Sequence, residues 1–345
     1  MNNKLCLLLI SPLKEKSGNC TTIYRISEGL RRRNCICYVK DGSSFSSKEN
    51  LIEFLNKNSI SFILALHAFK SGKFLRNITF PYCIIFGGTD LLEGEKAFEV
   101  DEVIYQSKFC VAFTDFMKRK ALKLWPNLDE SSIHTIPQAV DATHDKFFDL
   151  KTYLNKVKSI QVNKDSKIFL IVGGVRRIKD QTFIVNSFDE LRNEYPECLL
   201  VILGPIIEEQ YRKEFKDCLR CKDYVIHVEG FTNEETKSAI KQSFALVNTS
   251  KSEGMASAIL EAFALGTPVL ARNIDSNRYL LRMNNNNDSG LLYDTPHEFV
   301  ECARLLIRED KLRDRIVACA RSQIKIFHMQ DDEALSYIDY LQSYM

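Results

Sequence analysis

Short apolar runs alternate with amphipathic stretches along nearly the whole chain, and the alternation is gone through twice. Buried strands alternating with helices predict a parallel sheet with helices on both faces. In the first half the runs are 5–10, 62–66, 83–86 and 133–136, with weaker ones at 103–104 and 111–113. A helix is expected over 21–33. The segment 151–167 is polar, rich in lysine and asparagine, and reads as a linker. Beyond it the pattern restarts with apolar runs at 168–172, 199–203, 225–228, 245–247 and 268–271, and with helices at 181–195 and 233–242. The run Asn284–Asn287 reads as a polar loop.

A chain of 345 residues exceeds the roughly 250–300 at which a single core tends to divide. The expected plan is α/β: two Rossmann-like, doubly wound parallel-sheet domains at 1–150 and 168–328. The last stretch, 329–345, is expected to be helical, and its return to the first domain is left open. In open sheets of this kind ligands bind beyond the carboxyl ends of the strands. Residues that carry chemistry are therefore sought just after each apolar run.

Composition narrows the function classes. Forty-seven basic and 45 acidic side chains give a formal net charge of +2, so no bulk nucleic-acid binding is expected, although a local cluster can still hold a phosphate. The opening apolar run, 5–10, is six residues long and stops at Ser11-Pro12. A secretory core needs about 7–15 apolar residues, so the run is read as a first strand. No stretch approaches the ~20 apolar residues of a membrane span. The 11 cysteines follow no spacing frame, and several, such as Cys6, Cys83, Cys110 and Cys198, sit in apolar runs. Such thiols suit a reducing compartment, and a cytoplasmic protein is expected. The Cys218–Cys221 pair lacks the second pair a zinc site needs, so no metal is expected.

The most specific pattern is Ser252-Glu253-Gly254-Met255-Ala256-Ser257-Ala258-Ile259-Leu260-Glu261, after the run 245–247. It turns into a helix whose first turn carries small residues. The two glutamates stand eight positions apart, about 12 Å along a helix axis, comparable to the span from a ribose to a sugar beyond its diphosphate. Between them lies a helix N-terminus, whose amides and dipole favour a phosphate. Gly254 allows ligand and backbone a close approach. By itself the spacing is equally compatible with two solvated glutamates.

The order of this segment, followed by Ala264-Leu265-Gly266-Thr267-Pro268-Val269, resembles the retaining glycosyltransferases of family 4, the group 1 transferases, which have the GT-B fold. The resemblance implies two domains facing across a donor cleft. It also implies that Glu253 lies near the donor sugar and Glu261 at the ribose, with Gly254, Met255 and Ala256 near the diphosphate and sugar. The family's Gly-Arg-Leu…Lys-Gly pattern is matched in part by Gly173-Gly174-Val175-Arg176-Arg177-Ile178-Lys179-Asp180. Lys179 takes the place of the family's lysine, Gly174 that of its arginine and Asp180 that of its second glycine. Arg176 or Arg177 must then supply the arginine's function, and the sequence leaves both open. A glycine pair with three cations also suits a diphosphate on chemical grounds, Lys as a point charge and Arg as a fork.

The first half carries weaker signals. Ser17-Gly18-Asn19-Cys20 follows the first run and loosely resembles the family's glycine-rich loop, which implies donor binding at Gly18. It also serves as an ordinary turn before a helix. His67 ends the run 62–66, where family members place a histidine that touches the donor; a hydrogen-bonded core histidine fits as well. Phe86-Gly87-Gly88-Thr89-Asp90 resembles the family's His-Gly-Thr-Asp, with Gly87 replacing the histidine, and puts Asp90 on the acceptor side. Gln138 and Ala139 depart from the family's Ile-Pro-Asn-Gly-Val-Asp.

The resemblance thus implies transfer of a sugar from a nucleoside-diphosphate donor with retention, without a metal or other cofactor, to an unidentified acceptor. Lys179, Arg177, Glu253 and His67 are the expected catalytic side chains. Two other readings stand beside it: a nucleotide-sugar-binding protein with weak or no acceptor chemistry, and another GT-B enzyme such as a nucleotide-sugar epimerase.

Overall fold

The computed structural model describes residues 4–14, 18–92, 94–157, 162–283 and 288–344; the tetra-asparagine run 284–287 lies outside them. The chain forms two compact units, Met1–Ala139 with Phe327–Met345, and Val140–Ile326. Each is built on one six-stranded parallel sheet.

In the first unit the strands are β1 (Cys6–Ile10), β2 (Ile36–Lys40), β3 (Phe62–Leu66), β4 (Tyr82–Ile85), β5 (Phe109–Ala112) and β6 (Ile133–Thr135). Their order is β2-β1-β3-β4-β5-β6. Every residue of β1 and β3 is buried, as strands covered on both faces require, and this is why they read as unbroken apolar runs. The edge strand β2 is largely half-exposed and carries no such run. Val103 and Ile104, expected as a weak strand, belong instead to a helix, Asp101–Tyr105. Asp101 and Glu102 lie in its first turn, where carboxylates favour a helix start, and two apolar residues fit either element. The helix Gln330–Ser343 packs on the helix Gly18–Arg32, and Arg25 clasps Glu333 with Nε at 3.0 Å and Nη2 at 2.8 Å.

The second unit has β7 (Lys167–Val172), β8 (Cys198–Leu203), β9 (Val225–Val228), β10 (Ala245–Asn248), β11 (Val269–Arg272) and β12 (Leu291–Tyr293). Their order is β12-β11-β10-β7-β8-β9. Alternate residues feed two cores: Ile168 and Leu170 with Leu199 and Val201 on one face, Phe169 and Ile171 with Leu200 and Ile202 on the other.

The segment 151–167, read as a linker, begins with a helix, Leu150–Val157. Asp149 accepts from the Thr152 amide at 2.6 Å, and Leu150 and Leu154 are fully buried in the second unit's core. Their helical spacing outweighs the polar residues between them, Lys151 and Thr152. The helix expected over 181–195 is confined to Phe188–Glu194, with turns before it and Pro196 restricting its end.

In both sheets the strand order reverses once. The reversal falls between β1 and β3 in the first unit and between β7 and β10 in the second. These are the switch points at which open α/β sheets bind ligands. Among the described residues no helix is long and apolar enough to cross a membrane.

Candidate functional site

The loops after β7 and β10 flank the second unit's switch point, and they carry the residues the sequence singled out. After β7 the backbone passes through Gly173 and Gly174. A Cβ on Gly174 would lie 2.1 Å from Ile207 Cδ1, so an arginine there, as in the family pattern, would have to displace Ile207. The loop then closes on itself, with the Lys179 amide donating to Arg176 O at 2.9 Å.

Lys179 Nζ donates to Glu253 Oε1 at 2.5 Å. The same oxygen accepts from Ser250 Oγ at 2.6 Å and from Asn248 Nδ2 at 3.3 Å. Burial pushes the Glu253 carboxyl up, but the Lys179 charge and these three hydrogen bonds outweigh it and hold it below its ordinary value. Glu253 is thus a carboxylate at neutral pH.

The two candidate arginines have different surroundings. Arg177 is half-exposed, bonds Glu214 Oε2 at 2.8 Å and Glu208 Oε1 at 3.5 Å, and lies over the Tyr211 ring. Arg176 is half-buried, and its Nε is shielded from solvent with no hydrogen-bond partner among the described residues. Arg177, expected among the catalytic groups, is directed toward two carboxylates outside the Lys179–Glu253 pair.

Beyond Glu253 come Gly254 and Met255, half-buried, and then Ala256, which occupies the cap of the helix Ser257–Leu265 without a side-chain hydrogen bond to it. Glu261 stands half-buried on that helix. The helix ends at Gly266, whose left-handed backbone (φ 80°) is the usual terminator.

In the first unit Gly18 is exposed at the start of its helix. His67 follows β3 directly, is fully buried, and holds φ at +80°, an uncommon conformation for a side chain of its size. The Lys70 amide donates to Nδ1 at 3.4 Å. A neutral ring accepting there carries its proton on Nε2, which lies 3.2 Å from Thr89 Oγ1. Asp90 is also fully buried. Its Oδ2 accepts from the amides of Ala68 at 2.9 Å and Gly87 at 3.1 Å, and lies 3.9 Å from His67 Nδ1. Through Oδ2 the Asp90 side chain fastens the His67 turn to the Gly87 turn, while its buried Oδ1 has no hydrogen-bond partner among the described residues.

Nothing in the structure explains the departures at Gln138 and Ala139. Both residues are buried, and Gln138 O receives a bond from His328 Nδ1 at 2.8 Å. Asn248, Ser250, Thr249 and Arg272 were missed in the sequence. Only their places just after β10 and at the end of β11 could have marked them.

Two doubly wound parallel sheets are the layout of the GT-B fold, and the comparisons name the family. The sequence model of the family "Glycosyl transferases group 1" matches residues 154–323. The chain is 32% identical over 335 residues to glycosyltransferase 1 domain-containing protein 1 of Xenopus tropicalis, covering 96% of each chain. It belongs to the group 1 glycosyltransferase family. Among solved structures, Anabaena HepE in complex with UDP and glucose superposes with a TM-score of 0.78 at 12% identity, over 98% of this chain and 100% of that one. Sucrose-phosphate synthase from Thermosynechococcus elongatus gives a TM-score of 0.78 at 12% identity, over 99% of each chain. At such identity these two bear on the fold alone.

Proposed function

We propose that the chain transfers a sugar, with retention, from a nucleoside-diphosphate donor held by the second unit. The observation that carries this reading is the guanidinium of Arg176, buried at Nε without a partner in the same loop as Lys179. A buried cation calls for an anion, and a diphosphate supplies oxygens for both an arginine fork and a lysine point charge. The start of the helix Ser257–Leu265 adds its dipole. Glu261 binds the ribose hydroxyls, Glu253 orients the sugar, and Gly254, Met255 and Ala256 line its approach.

In this mechanism Lys179 and Arg176 stabilise the charge that develops on the leaving diphosphate. Glu253 is already tied up by Lys179, Ser250 and Asn248, which makes it a poor nucleophile. A same-face route fits better: the anomeric carbon–phosphate oxygen bond breaks, the acceptor oxygen bonds to that carbon, and its proton passes to the departing phosphate oxygen. In the first unit Asp90 holds the turn that carries His67, and His67 is the proposed catalytic group of that unit. The chain's own cations carry the electrostatic work, and no metal or cofactor is assigned. Since HepE was crystallised with UDP and glucose, a UDP-sugar is the first donor to try.

The test is to incubate the protein with UDP-, GDP- and ADP-sugars and a panel of acceptor sugars, following nucleoside diphosphate release and product configuration by NMR. The reading predicts release from one donor class, lost in Lys179→Ala, with the donor's anomeric configuration kept. Inversion in the product contradicts the retaining route. A donor bound but never consumed favours the binding-protein alternative.

A further inference from the structure

Asp180 follows Lys179 in the chain and holds a left-handed backbone, φ +46°, where the family pattern has glycine. An L-side chain in that region is uncommon and is kept there by its surroundings. Those surroundings are specific. Asp180 Oδ2 pairs with Arg272 Nη1 at 2.9 Å and Lys251 Nζ at 3.4 Å. The Arg272 guanidinium lies 3.8 Å from the centre of the Phe183 ring, a cation–π distance, and its Nη1 also reaches Thr249 O at 3.3 Å. The loop is joined again where Thr249 Oγ1 donates to Lys179 O at 2.8 Å and the Lys251 amide to Ile178 O at 2.9 Å. These contacts bracket Lys179, fixing the peptide units on either side of it.

We infer that Arg272 and Asp180 are positioning residues: their ion pair locks the 176–180 loop, so that Lys179 is presented to the donor phosphates in one conformation. Glycine at 180 would adopt the turn without help; here an aspartate adopts it and is held by an arginine from the end of β11. The lock reaches the donor only through Lys179, and the inference rests on the donor reading above. Arg272 Nη1 is engaged by Asp180 and Thr249 O, and its guanidinium lies on Phe183; a double-variant cycle with Lys179 decides whether Arg272 acts only through that lysine.

The test is a cycle of Arg272→Met, Lys179→Ala and the double variant, titrated with whichever of UDP, GDP and ADP binds the wild type. Methionine keeps an apolar chain on Phe183 while removing the charge. Arg272→Met is expected to weaken binding about tenfold in the wild type, but less than about twofold once Lys179 is alanine. Arg272→Lys, retaining the ion pair, should recover most of the loss. Amide hydrogen exchange without nucleotide gives a second reading: residues 176–180 should exchange faster in Arg272→Met, while the β8 amides stay unchanged. Equal weakening in both backgrounds would overturn the inference by making Arg272 an independent contact. Unchanged exchange at 176–180 would overturn the lock and leave the donor reading intact. If the wild type binds none of the nucleotides, the donor reading falls and takes the functional part of this inference with it.

Discussion

In the second unit the loops at the switch point are fastened by ions: Lys179 to Glu253, and Arg272 and Lys251 to Asp180. In the first unit the equivalent loops are fastened by a buried histidine on a strained backbone and by an inward-facing carboxylate that accepts from two amides. One topology has therefore been given two electrostatic characters. Cations at a switch point suit a ligand that brings its own negative charge. A fully buried histidine and carboxylate bonded to main-chain amides instead fix the shape of the loops that carry them.

The largest effect that would test this contrast lies in the first unit. Glu333→Ala leaves Arg25 mostly buried and unpaired, a change that typically costs about 3–5 kcal/mol. Thermal or denaturant unfolding should show that loss, with nucleotide affinity per folded molecule unchanged. A parallel fall in affinity would mean the two units are not chemically separable.

In the second unit Lys179→Ala should reduce nucleoside diphosphate affinity about 100-fold per folded molecule, measured by calorimetry, and should also lower stability, because the buried Glu253 loses its cation. His67→Ala should leave that affinity within about twofold while abolishing transfer. Such a separation would sharpen the contrast; tight dependence of nucleotide affinity on His67 would break it.

The pH responses should differ as well. Burial pushes His328 down from 6.5 to about 4, partly countered by its bond to Gln138. A depressed histidine contributes stability that is fully present above its unfolded value and is lost as pH falls from 6.5 toward about 4, an effect of order 3 kcal/mol at most. His328→Asn should flatten the stability profile in that window. Glu253 is also depressed, so what its pairing contributes is present above the ordinary carboxylate value and persists until pH falls below it. Its pair with Lys179 should therefore survive acidification that already weakens the first unit. The smallest effect is expected from Arg177→Ala, whose half-exposed ion pairs are worth about 1 kcal/mol or less.

The sheets were legible where strands are buried on both faces, as at β1, β3 and β8, because such strands are continuous apolar runs. The half-exposed edge strand β2 and the helix Leu150–Val157, its apolar positions separated by polar residues, were not. In the candidate site, Glu253, Lys179 and Glu261 stood out because the order of residues around one helix start and one glycine pair resembles the family's, spacing alone being compatible with solvated side chains. The choice between Arg176 and Arg177 could not be read, since it depends on Glu208 in the loop after β8 and on Glu214 in the helix Arg212–Leu219. The inward turn of Asp90 was hidden for the same reason: it is set by the amides of Ala68 and Gly87, and main-chain donors carry no residue signature. The lock at Asp180 was visible only as a departure from glycine, and its partner Arg272 is 92 positions away.

The most direct test is to titrate one nucleoside diphosphate into wild type, Arg176→Ala and Arg177→Ala side by side. A diphosphate held by Arg176, whose Nε is shielded from solvent without a protein partner among the described residues, predicts an affinity at least about tenfold weaker in Arg176→Ala and nearly unchanged in Arg177→Ala. The reverse order, or equal binding by all three, would contradict the assignment of the diphosphate to this loop.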